Sequence, residues 1–291
     1  MKHQPLAEIF GFPFDNLGKN AGRFRKLKLC PFGNVVPNCT KDKAKNPLGV
    51  CSIFDGKEVV IVCPIRFREN WIIAEDAANF FFDEKVQWTT LTEVRLPDKY
   101  GRSAGNIDVV IAAYDDGGKV IDFGALEVQA VYISGNIRDP FEGYIKETKG
   151  KIFDWSGRAN YPKPDYLSSS RKRLAPQLIY KGGIIRAWNK KTAVALNKGF
   201  FETLPKFREV SKGEADIAWM VYGLRHEKSS QRFRLSRDKI VYAKFEDSLS
   251  RITKSEAGSV ENFIGLLQDK INEKLESKSH PPSTEKMDAP F

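Results

Sequence analysis

Two apolar runs, Asn106-Ile-Asp-Val-Val-Ile111 and Leu126-Glu-Val-Gln-Ala-Val131, determine how the rest of this chain is organised. Both runs are rich in β-branched residues, and Tyr114-Asp-Asp-Gly-Gly118 lies between them. Two such runs around a Gly-Gly turn predict a β-hairpin or a pair of adjacent strands. The centre of the chain is therefore a pair of strands that carry polar side chains within an apolar pattern.

The polar residues of these strands are the first candidates for a functional site. Asp108 lies in the first run, and Glu127 and Gln129 lie two positions apart in the second, so their side chains leave the same face of the strand. A carboxylate in a hydrophobic strand is costly unless it is paired or binds a cation. Two carboxylates and an amide on adjacent strands indicate a site, and the alternative is a set of buried structural polar residues.

The segments before Asp108 supply a helix, a strand and a loop. Residues 69–85 have apolar positions at helical spacing and predict an amphipathic helix packed on the sheet. Residues 88–96 predict a strand, with Glu93 near its end, and residues 97–105 predict a polar loop. Glu93 could bind a metal ion through water or assist a second ion, or it could be an ordinary strand residue.

All four cysteines of the chain, Cys30, Cys39, Cys51 and Cys63, lie in its first quarter. Such clustering in a reducing compartment favours a tetrathiolate metal site over disulfides. The spacing lacks the C-x₂-C pair of common zinc ribbons, and zinc and iron both accept four thiolates. Four buried free cysteines or two disulfides are the alternatives. Four thiolates would leave no open position, so a metal bound there would be structural.

The charge balance favours a polyanionic partner. The chain has 47 basic and 37 acidic residues, a net charge of +10 and a pI of about 9.3. Arg171, Lys172 and Arg173 follow a serine cluster that we expect to cap a helix, so they predict a phosphate or guanine contact. Arg102 in the loop 97–105 is a second candidate. The alternatives are a solvated basic turn and a basic protein without a polyanionic partner.

Several classes of protein are disfavoured. No apolar segment is long enough to span a bilayer, and Met1-Lys-His-Gln-Pro5 does not resemble a signal peptide, so we expect an intracellular protein. The three histidines, His3, His226 and His280, are widely scattered, which disfavours a Ser–His or Cys–His mechanism.

The central carboxylates fit metal-assisted hydrolysis. An Asp and a Glu on neighbouring strands can bind one divalent cation through oxygen ligands, with water completing the coordination. Mg²⁺ at such a site polarises a phosphoryl oxygen and lowers the pKa of bound water. Gln129 could orient a water or a phosphate by hydrogen bonds, but its amide cannot carry a proton or a charge. The sequence therefore predicts magnesium-dependent cleavage of a phosphodiester.

Asp108 on one strand followed by Glu127-Val-Gln129 on the next resembles the PD-(D/E)xK nuclease signature, with Gln in place of Lys. Together with Glu93 and the four upstream cysteines, this pattern is similar to the NotI-type restriction endonucleases over residues 29–133. The chain has Asn106-Ile107 where the signature often has Pro. Gln129 leaves no lysine in the strand, so activity would rely on the metal-bound water.

The resemblance implies an α/β fold with a central mixed sheet flanked by helices and a small N-terminal Cys₄ module. Residues 1–68 would contain the metal-binding module, and residues 69–291 the catalytic and DNA-recognition domain. The implied activity is that of a type II restriction endonuclease of a prokaryotic cell. It would act as a homodimer with Mg²⁺ on a palindromic, GC-rich site in double-stranded DNA.

The resemblance also assigns residue roles. Asp108 and Glu127 would bind magnesium, Gln129 would stand in for the signature lysine, and Glu93 would be a supporting acid. The iron ligands would be Cys30, Cys39, Cys51 and Cys63. Two other functions remain open: a sequence-specific DNA-binding protein that recognises DNA through its Cys₄ module without cutting it, and a repair or RNA-directed nuclease built on the same core.

Overall fold

The computed structural model describes residues 4–43, 45–82, 86–146, 154–155 and 157–276. The chain divides into two compact units, Met1–Ile252 and Thr253–Phe291. The first unit contains both main sheets, and the second contains one long helix. The expected domain boundary at residue 68 separates these two sheets and stays a prediction. Among the described residues, no helix has the length and apolar character needed to cross a bilayer.

Two sheets make up most of the first unit. The N-terminal sheet has the antiparallel order β2-β1-β5-β6, and a short ribbon pairs β3 with β4. These strands are β1 Leu6–Ile9, β2 Phe12–Pro13, β3 Asp42–Lys43, β4 Asn46–Pro47, β5 Val50–Asp55 and β6 Glu58–Ile61.

The central sheet has six strands in the order β14-β13-β12-β9-β8-β7. It is mixed, because β12 runs parallel to both of its neighbours and the other pairs are antiparallel. A separate ribbon pairs β10 with β11. The strands are β7 Gln87–Pro97, β8 Ser103–Tyr114, β9 Val120–Gln129, β10 Tyr132–Ser134, β11 Lys163–Asp165, β12 Thr192–Asn197, β13 Ile217–Glu227 and β14 Arg232–Ala243. The expected α/β class with a central mixed sheet is thus confirmed.

Helices cover the sheets and connect them. A 3₁₀ segment, Pro64–Trp71, leads directly into α2, and residues 166–187 form one continuous helical segment, α4. The helices are α1 Lys19–Leu27, α2 Ile72–Phe81, α3 Arg138–Lys146, α4 (166–187), α5 Lys198–Glu202, α6 Phe245–Thr253 and, in the second unit, α7 Val260–Glu276. The helix predicted over 69–85 is therefore present in its central part, while residues 83–85 lie outside the described chain.

The predicted hairpin is formed by β8 and β9, which pair antiparallel. Asp115 Oδ1 accepts hydrogen bonds from the backbone N–H groups of Gly117 (3.0 Å) and Lys119 (2.9 Å). Gly118 has φ +79°, a left-handed conformation that glycine adopts without steric cost. The turn residues therefore fix the register of the two strands that carry the candidate acids.

The two faces of the hairpin pack against different helices. Even positions of β9, including Leu126 and Val128, belong to an apolar cluster with α2. Ala125, at an odd position, packs with Ile185 of α4. Since side chains alternate along a strand, Glu127 and Gln129 share the face that α4 covers.

Helix α4 has two wide π-helical stretches, Ser169–Leu174 and Leu178–Gly182. Pro176 lies between them and cannot donate an α-helical hydrogen bond, which accounts for an interruption of regular helix at this point. The helix begins after Asp165, whose Oδ1 accepts from the backbone N–H of Ser168 at 2.9 Å. The expectation that the serine cluster caps this helix was therefore wrong, because an aspartate three residues earlier is the cap.

A buried arginine joins the N-terminal sheet to the central sheet. Arg66 donates to Glu8 Oε2 on β1 (2.9 Å), to Glu69 Oε2 (2.8 Å) and to the carbonyl oxygen of Phe233 on β14 (3.0 Å). The guanidinium also lies 4.2 Å from the ring centroid of Phe32. Arg66 and Glu8 are fully buried, so water does not screen this pair.

Candidate active site

Strand pairing brings the two predicted acids together. Val109 on β8 pairs with Leu126 on β9, the last pair of this ladder, and Asp108 and Glu127 are the residues that come next on the two strands, close enough for their charges to interact. Asp108 is half-buried, and its Oδ2 accepts a hydrogen bond from the backbone N–H of Val128 at 2.8 Å. Glu127 is only 3% exposed. The hairpin therefore presents two neighbouring carboxylates on the face below α4.

Burial raises the pKa of Glu127 to about 7, and the nearby charge of Asp108 acts in the same direction. The positive charges of Lys181 and Arg173 act in the opposite direction. Two carboxylates this close repel each other when both are ionised, and burial strengthens that repulsion. A cation near Glu127 would relieve it.

Lys181, on α4, supplies a positive charge that was not among the predicted site residues. Its Nζ lies 2.5 Å from Glu127 Oε2 and 2.8 Å from the carbonyl oxygen of Asn106. The Lys181 side chain is 7% exposed, so this is a buried ion pair. Gln129 leaves strand β9 without a lysine at this position, and α4 instead brings Lys181 to the same face.

Gln129 lies fully buried beside Glu127. Its Nε2 donates to Gln177 Oε1 on α4. Gln129 Oε1 and Glu127 Oε1 are buried and accept no hydrogen bond from the described residues. Buried polar atoms without partners are uncommon, and two such oxygens beside a second carboxylate match the ligand preference of a hard divalent cation.

Three side chains of α4 reach β9, at intervals of four residues. Arg173 donates to the carbonyl oxygen of Val128 (3.2 Å), Gln177 accepts from Gln129, and Lys181 donates to Glu127. Residues four apart lie on one face of a helix. This spacing of polar residues within an otherwise amphipathic helix is the signal in the sequence that could have identified Lys181.

Glu93 lies next to the pair in the sheet but is not joined to it. Thr92 pairs with Val109 and Val94 pairs with Ile107, which puts Glu93 at the level of Asp108. Glu93 is exposed, has φ +56°, and its side chain makes no hydrogen bond or ion pair with the described residues. A left-handed backbone is unusual for glutamate in a strand and is a form of strain found at functional sites.

The three predicted DNA-contacting cations of α4 do not share one environment. Arg171 and Lys172 are exposed, while Arg173 turns inward to strand β9. They lie in the second turn rather than at the N-terminus, since α4 begins at Tyr166. The helix N-terminus therefore does not add its dipole to these three charges, contrary to the expectation from the sequence.

Arg102 lies in the β7–β8 turn beside an open groove. The groove has a volume of about 560 Å³ and is lined by this turn and by α4, including Arg102 and Tyr180. The side chain of Arg102 is 73% exposed and pairs with Asp98 at 3.0 Å. Lys99 and Arg102 both lie within 5 Å of the ring centroid of Tyr100, at 4.8 and 4.9 Å. The turn thus presents two cations and an exposed aromatic ring next to the site.

The four cysteines line one cavity of about 320 Å³ in the N-terminal part of the chain. Cys30 N–H donates to the carbonyl oxygen of Pro37 (2.7 Å) and Cys39 N–H to that of Lys28 (2.8 Å), which closes the loop between these two cysteines. Burial, with a smaller contribution from the Cys63 and Cys39 thiols, raises the pKa of Cys30 to about 11. All four are free cysteines, so the disulfide alternative has no support in the structure.

The described side chains do not form a complete metal-binding site. Within the described ranges, no three or more His, Cys, Asp or Glu side chains are arranged closely enough to bind a metal ion. This holds for the cysteine cavity and for the two carboxylates, which are a pair rather than a triad. Both sites therefore have suitable donor chemistry without a completed ligand set.

One comparison with known proteins gives a match. The family model described as Restriction endonuclease NotI matches residues 15–235. This range includes the four cysteines, both strands of the hairpin and all of α4. No curated protein matches the chain.

Proposed function

The chain belongs to the NotI restriction endonuclease family, and from this premise we propose that it cleaves double-stranded DNA with Mg²⁺ bound at Asp108 and Glu127. Membership makes the protein a site-specific deoxyribonuclease that acts on DNA phosphodiester bonds. The family supports a type II restriction endonuclease. The finer proposal is a homodimer, in a prokaryotic cell, that recognises a palindromic and GC-rich site.

One observation supports the catalytic assignment above all others. Two neighbouring carboxylates lie on adjacent strands, and the buried one has an oxygen without a hydrogen-bond donor among the described residues. Mg²⁺ prefers oxygen ligands and retains several waters, so two carboxylates suffice as its protein ligands. The donor set fits this ion better than zinc or iron, which favour thiolate and imidazole.

Each residue of the site has a proposed task. Asp108 and Glu127 would bind the ion, and a bound Mg²⁺ supplies Lewis acidity toward the scissile phosphate. Gln129 Oε1 is buried next to Glu127 and would orient a water molecule by accepting a hydrogen bond from it. Glu93, exposed at the level of Asp108, would act as the supporting acid through water.

The proposed DNA-binding surface consists of the β7–β8 turn and the exposed side of α4. Arg102, Arg171 and Lys172 are exposed cations suited to phosphate or guanine contacts. Arg173 would act at the catalytic strand instead, since it donates to Val128. A twofold-symmetric dimer would present this surface twice, which matches a palindromic site.

We propose iron or zinc at the four cysteines, with a structural role. Support comes from their common cavity and from the mutual effect of the thiols on their pKa values. A metal ion binds thiolates, so binding would release protons that burial otherwise retains on these groups. Residues 1–68 would then form the metal-binding module and 69–291 the nuclease domain.

Replacing Cys39 with serine is expected to remove the bound metal and lower the melting temperature, because a structural metal site contributes directly to folding. Elemental analysis of the purified protein and thermal denaturation measure the two effects. Thr40→Ser, which alters a neighbouring residue that also lines the cavity, is the control and should keep both values. Unchanged metal content and melting temperature in Cys39→Ser would contradict a structural metal site.

Digestion of a long DNA with known sequence tests the activity. We expect discrete fragments with Mg²⁺ and none with EDTA, and sequencing of the fragment ends gives the recognition site. A smear of fragments would favour a repair or RNA-directed nuclease instead. Site-specific binding without cleavage would favour the DNA-binding protein and would contradict the catalytic role of the acids.

A further inference from the structure

Lys181 is placed where a structural lysine is hard to explain. Its stem runs past Gly105, whose φ is +112°, and a Cβ added at that glycine would lie 3.5 Å from Lys181 Cδ. The ammonium group then meets Glu127 Oε2 at 2.5 Å and the carbonyl oxygen of Asn106 at 2.8 Å. Burying a lysine costs free energy because its charge leaves water. The buried lysine lies at the carboxylate pair that is proposed to bind the catalytic ion.

The ammonium group retains capacity for another partner. A lysine Nζ has three N–H donors, and the two acceptors named above use two of them. The third can donate to a phosphate oxygen when DNA lies against the site. Lys181 is also on α4, the helix that lines the groove together with Arg102. One helix, α4, therefore contacts the buried acid through Lys181 and contributes other residues to the surface proposed to contact DNA.

Two neighbouring residues of α4 also contact β9 and help to position Lys181. Arg173 and Gln177 lie on the same face of α4 and contact β9 at Val128 and Gln129. These two contacts, close to Glu127 along the strand, fix α4 against the catalytic strand. Lys181 is consequently held in register with Glu127, and a different helix residue could not replace it without repacking the helix.

We propose that Lys181 is the active-site lysine of this nuclease. From α4 it delivers the ammonium group that the nuclease signature supplies from the strand, where this chain has Gln129. In the metal-free protein Lys181 neutralises Glu127, and with a divalent cation held by Asp108 and Glu127 its ammonium group would donate to the scissile phosphate instead. This inference rests on the proposed cleavage of DNA.

The order of events follows from electrostatics. Glu127 and Asp108 repel each other in the absence of a cation, and Lys181 offsets that repulsion. Asp108 and Glu127 would hold a divalent ion whose charge is twice that of the ammonium, and like charges repel at short distance. The phosphate of bound DNA would then offer the Lys181 ammonium another anionic acceptor.

The test compares Lys181→Met with Lys190→Met in the full-length protein. Lys190 is a matched control, because it pairs with Asp122 on the same strand β9 at 2.6 Å but is 31% exposed. Three quantities are measured: the single-turnover cleavage rate at saturating Mg²⁺, the DNA affinity with Ca²⁺ in place of Mg²⁺, and the rise in melting temperature that Ca²⁺ produces without DNA.

For Lys181→Met we expect a cleavage rate about 100-fold lower, since removing one preformed donor to a transition-state charge has an effect of this order. DNA affinity should stay within about threefold, a change of under 1 kcal/mol. The rise in melting temperature with Ca²⁺ should exceed that of the unmodified protein, because Ca²⁺ no longer competes with the ammonium. Lys190→Met should leave all three quantities unchanged. If Lys181→Met does not fold, Lys181→Gln removes the same charge with a polar side chain of similar length.

A second variant moves the lysine back to the strand. Gln129→Lys combined with Lys181→Met places an ammonium on the same face of β9, two residues from Glu127. We expect it to cleave at least tenfold faster than Lys181→Met. A double variant no faster than Lys181→Met, or a Lys181→Met that cleaves at the unmodified rate, would overturn the proposal while leaving the nuclease assignment intact. Absence of cleavage by the unmodified protein would instead overturn the proposed function.

Discussion

Replacing Glu127 with alanine is expected to slow DNA cleavage by about 10³-fold or more while leaving DNA affinity nearly unchanged. The carboxylate lies near Asp108 and is the buried member of the pair. Alanine removes one of two proposed protein ligands, so the ion loses both affinity and position. The effect should exceed that of Lys181→Met, because the metal contributes more to transition-state stabilisation than one donor does.

The measurement is a single-turnover cleavage assay over a range of Mg²⁺ concentrations, with DNA affinity measured separately in Ca²⁺. Asp122→Ala is the matched control, since Asp122 is a carboxylate on the same strand that pairs with Lys190 at the surface. It should cleave at the unmodified rate. Cleavage by Glu127→Ala within tenfold of the unmodified protein would show that the acids do not bind the catalytic ion.

Replacing Arg66 with leucine is expected to lower the free energy of unfolding by about 3–5 kcal/mol. The guanidinium pairs with Glu8 and Glu69, and leucine would leave the Glu8 carboxylate buried beside an apolar side chain. The carbonyl oxygen of Phe233 on β14 would also lose a donor. Because these partners belong to different sheets, the variant should weaken the attachment of the N-terminal sheet.

Chemical denaturation of the unmodified protein, Arg66→Leu and Arg251→Leu measures this effect. Arg251 forms an exposed pair with Asp247, so its replacement should change stability little. The double variant Glu8→Leu with Arg66→Leu removes both charges, and we expect it to be more stable than Arg66→Leu alone. A single variant that unfolds at the same denaturant concentration as the unmodified protein would refute the structural role of this network.

The central hairpin and its acids were predictable because the signals are local. The Gly-Gly turn sets the register of β8 and β9, and the period of two places Glu127 and Gln129 on one face. Apolar residues at helical spacing identified the region of α2 in the same way. The mixed sheet came from the family resemblance, because pairing between distant strands such as β9 and β12 has no local signal.

Other parts of the site depend on contacts between residues that are distant in the sequence and are harder to predict from it. The serines at 168–170 looked like a helix cap, but Asp165 precedes them and ends the preceding strand β11. Lys181 was missed because the nuclease signature places its lysine two residues after the acid, where this chain has Gln129. A lysine 54 positions away from Glu127 reaches this acid through tertiary structure instead. Four-residue spacing with Arg173 and Gln177 was the available clue.

The contacts that β9 makes with Asp108 and Lys181 differ in sequence separation, and this difference bears on the order in which the chain folds. The contact of Asp108 with the backbone of Val128 spans 20 positions and needs only the hairpin, whereas the contact of Lys181 with Glu127 spans 54 and needs α4 to dock. Short-range contacts form faster than long-range ones, since a smaller loop must close. A nascent hairpin thus has two adjacent carboxylates before the ammonium arrives, and Lys181 offsets their repulsion only after α4 has docked.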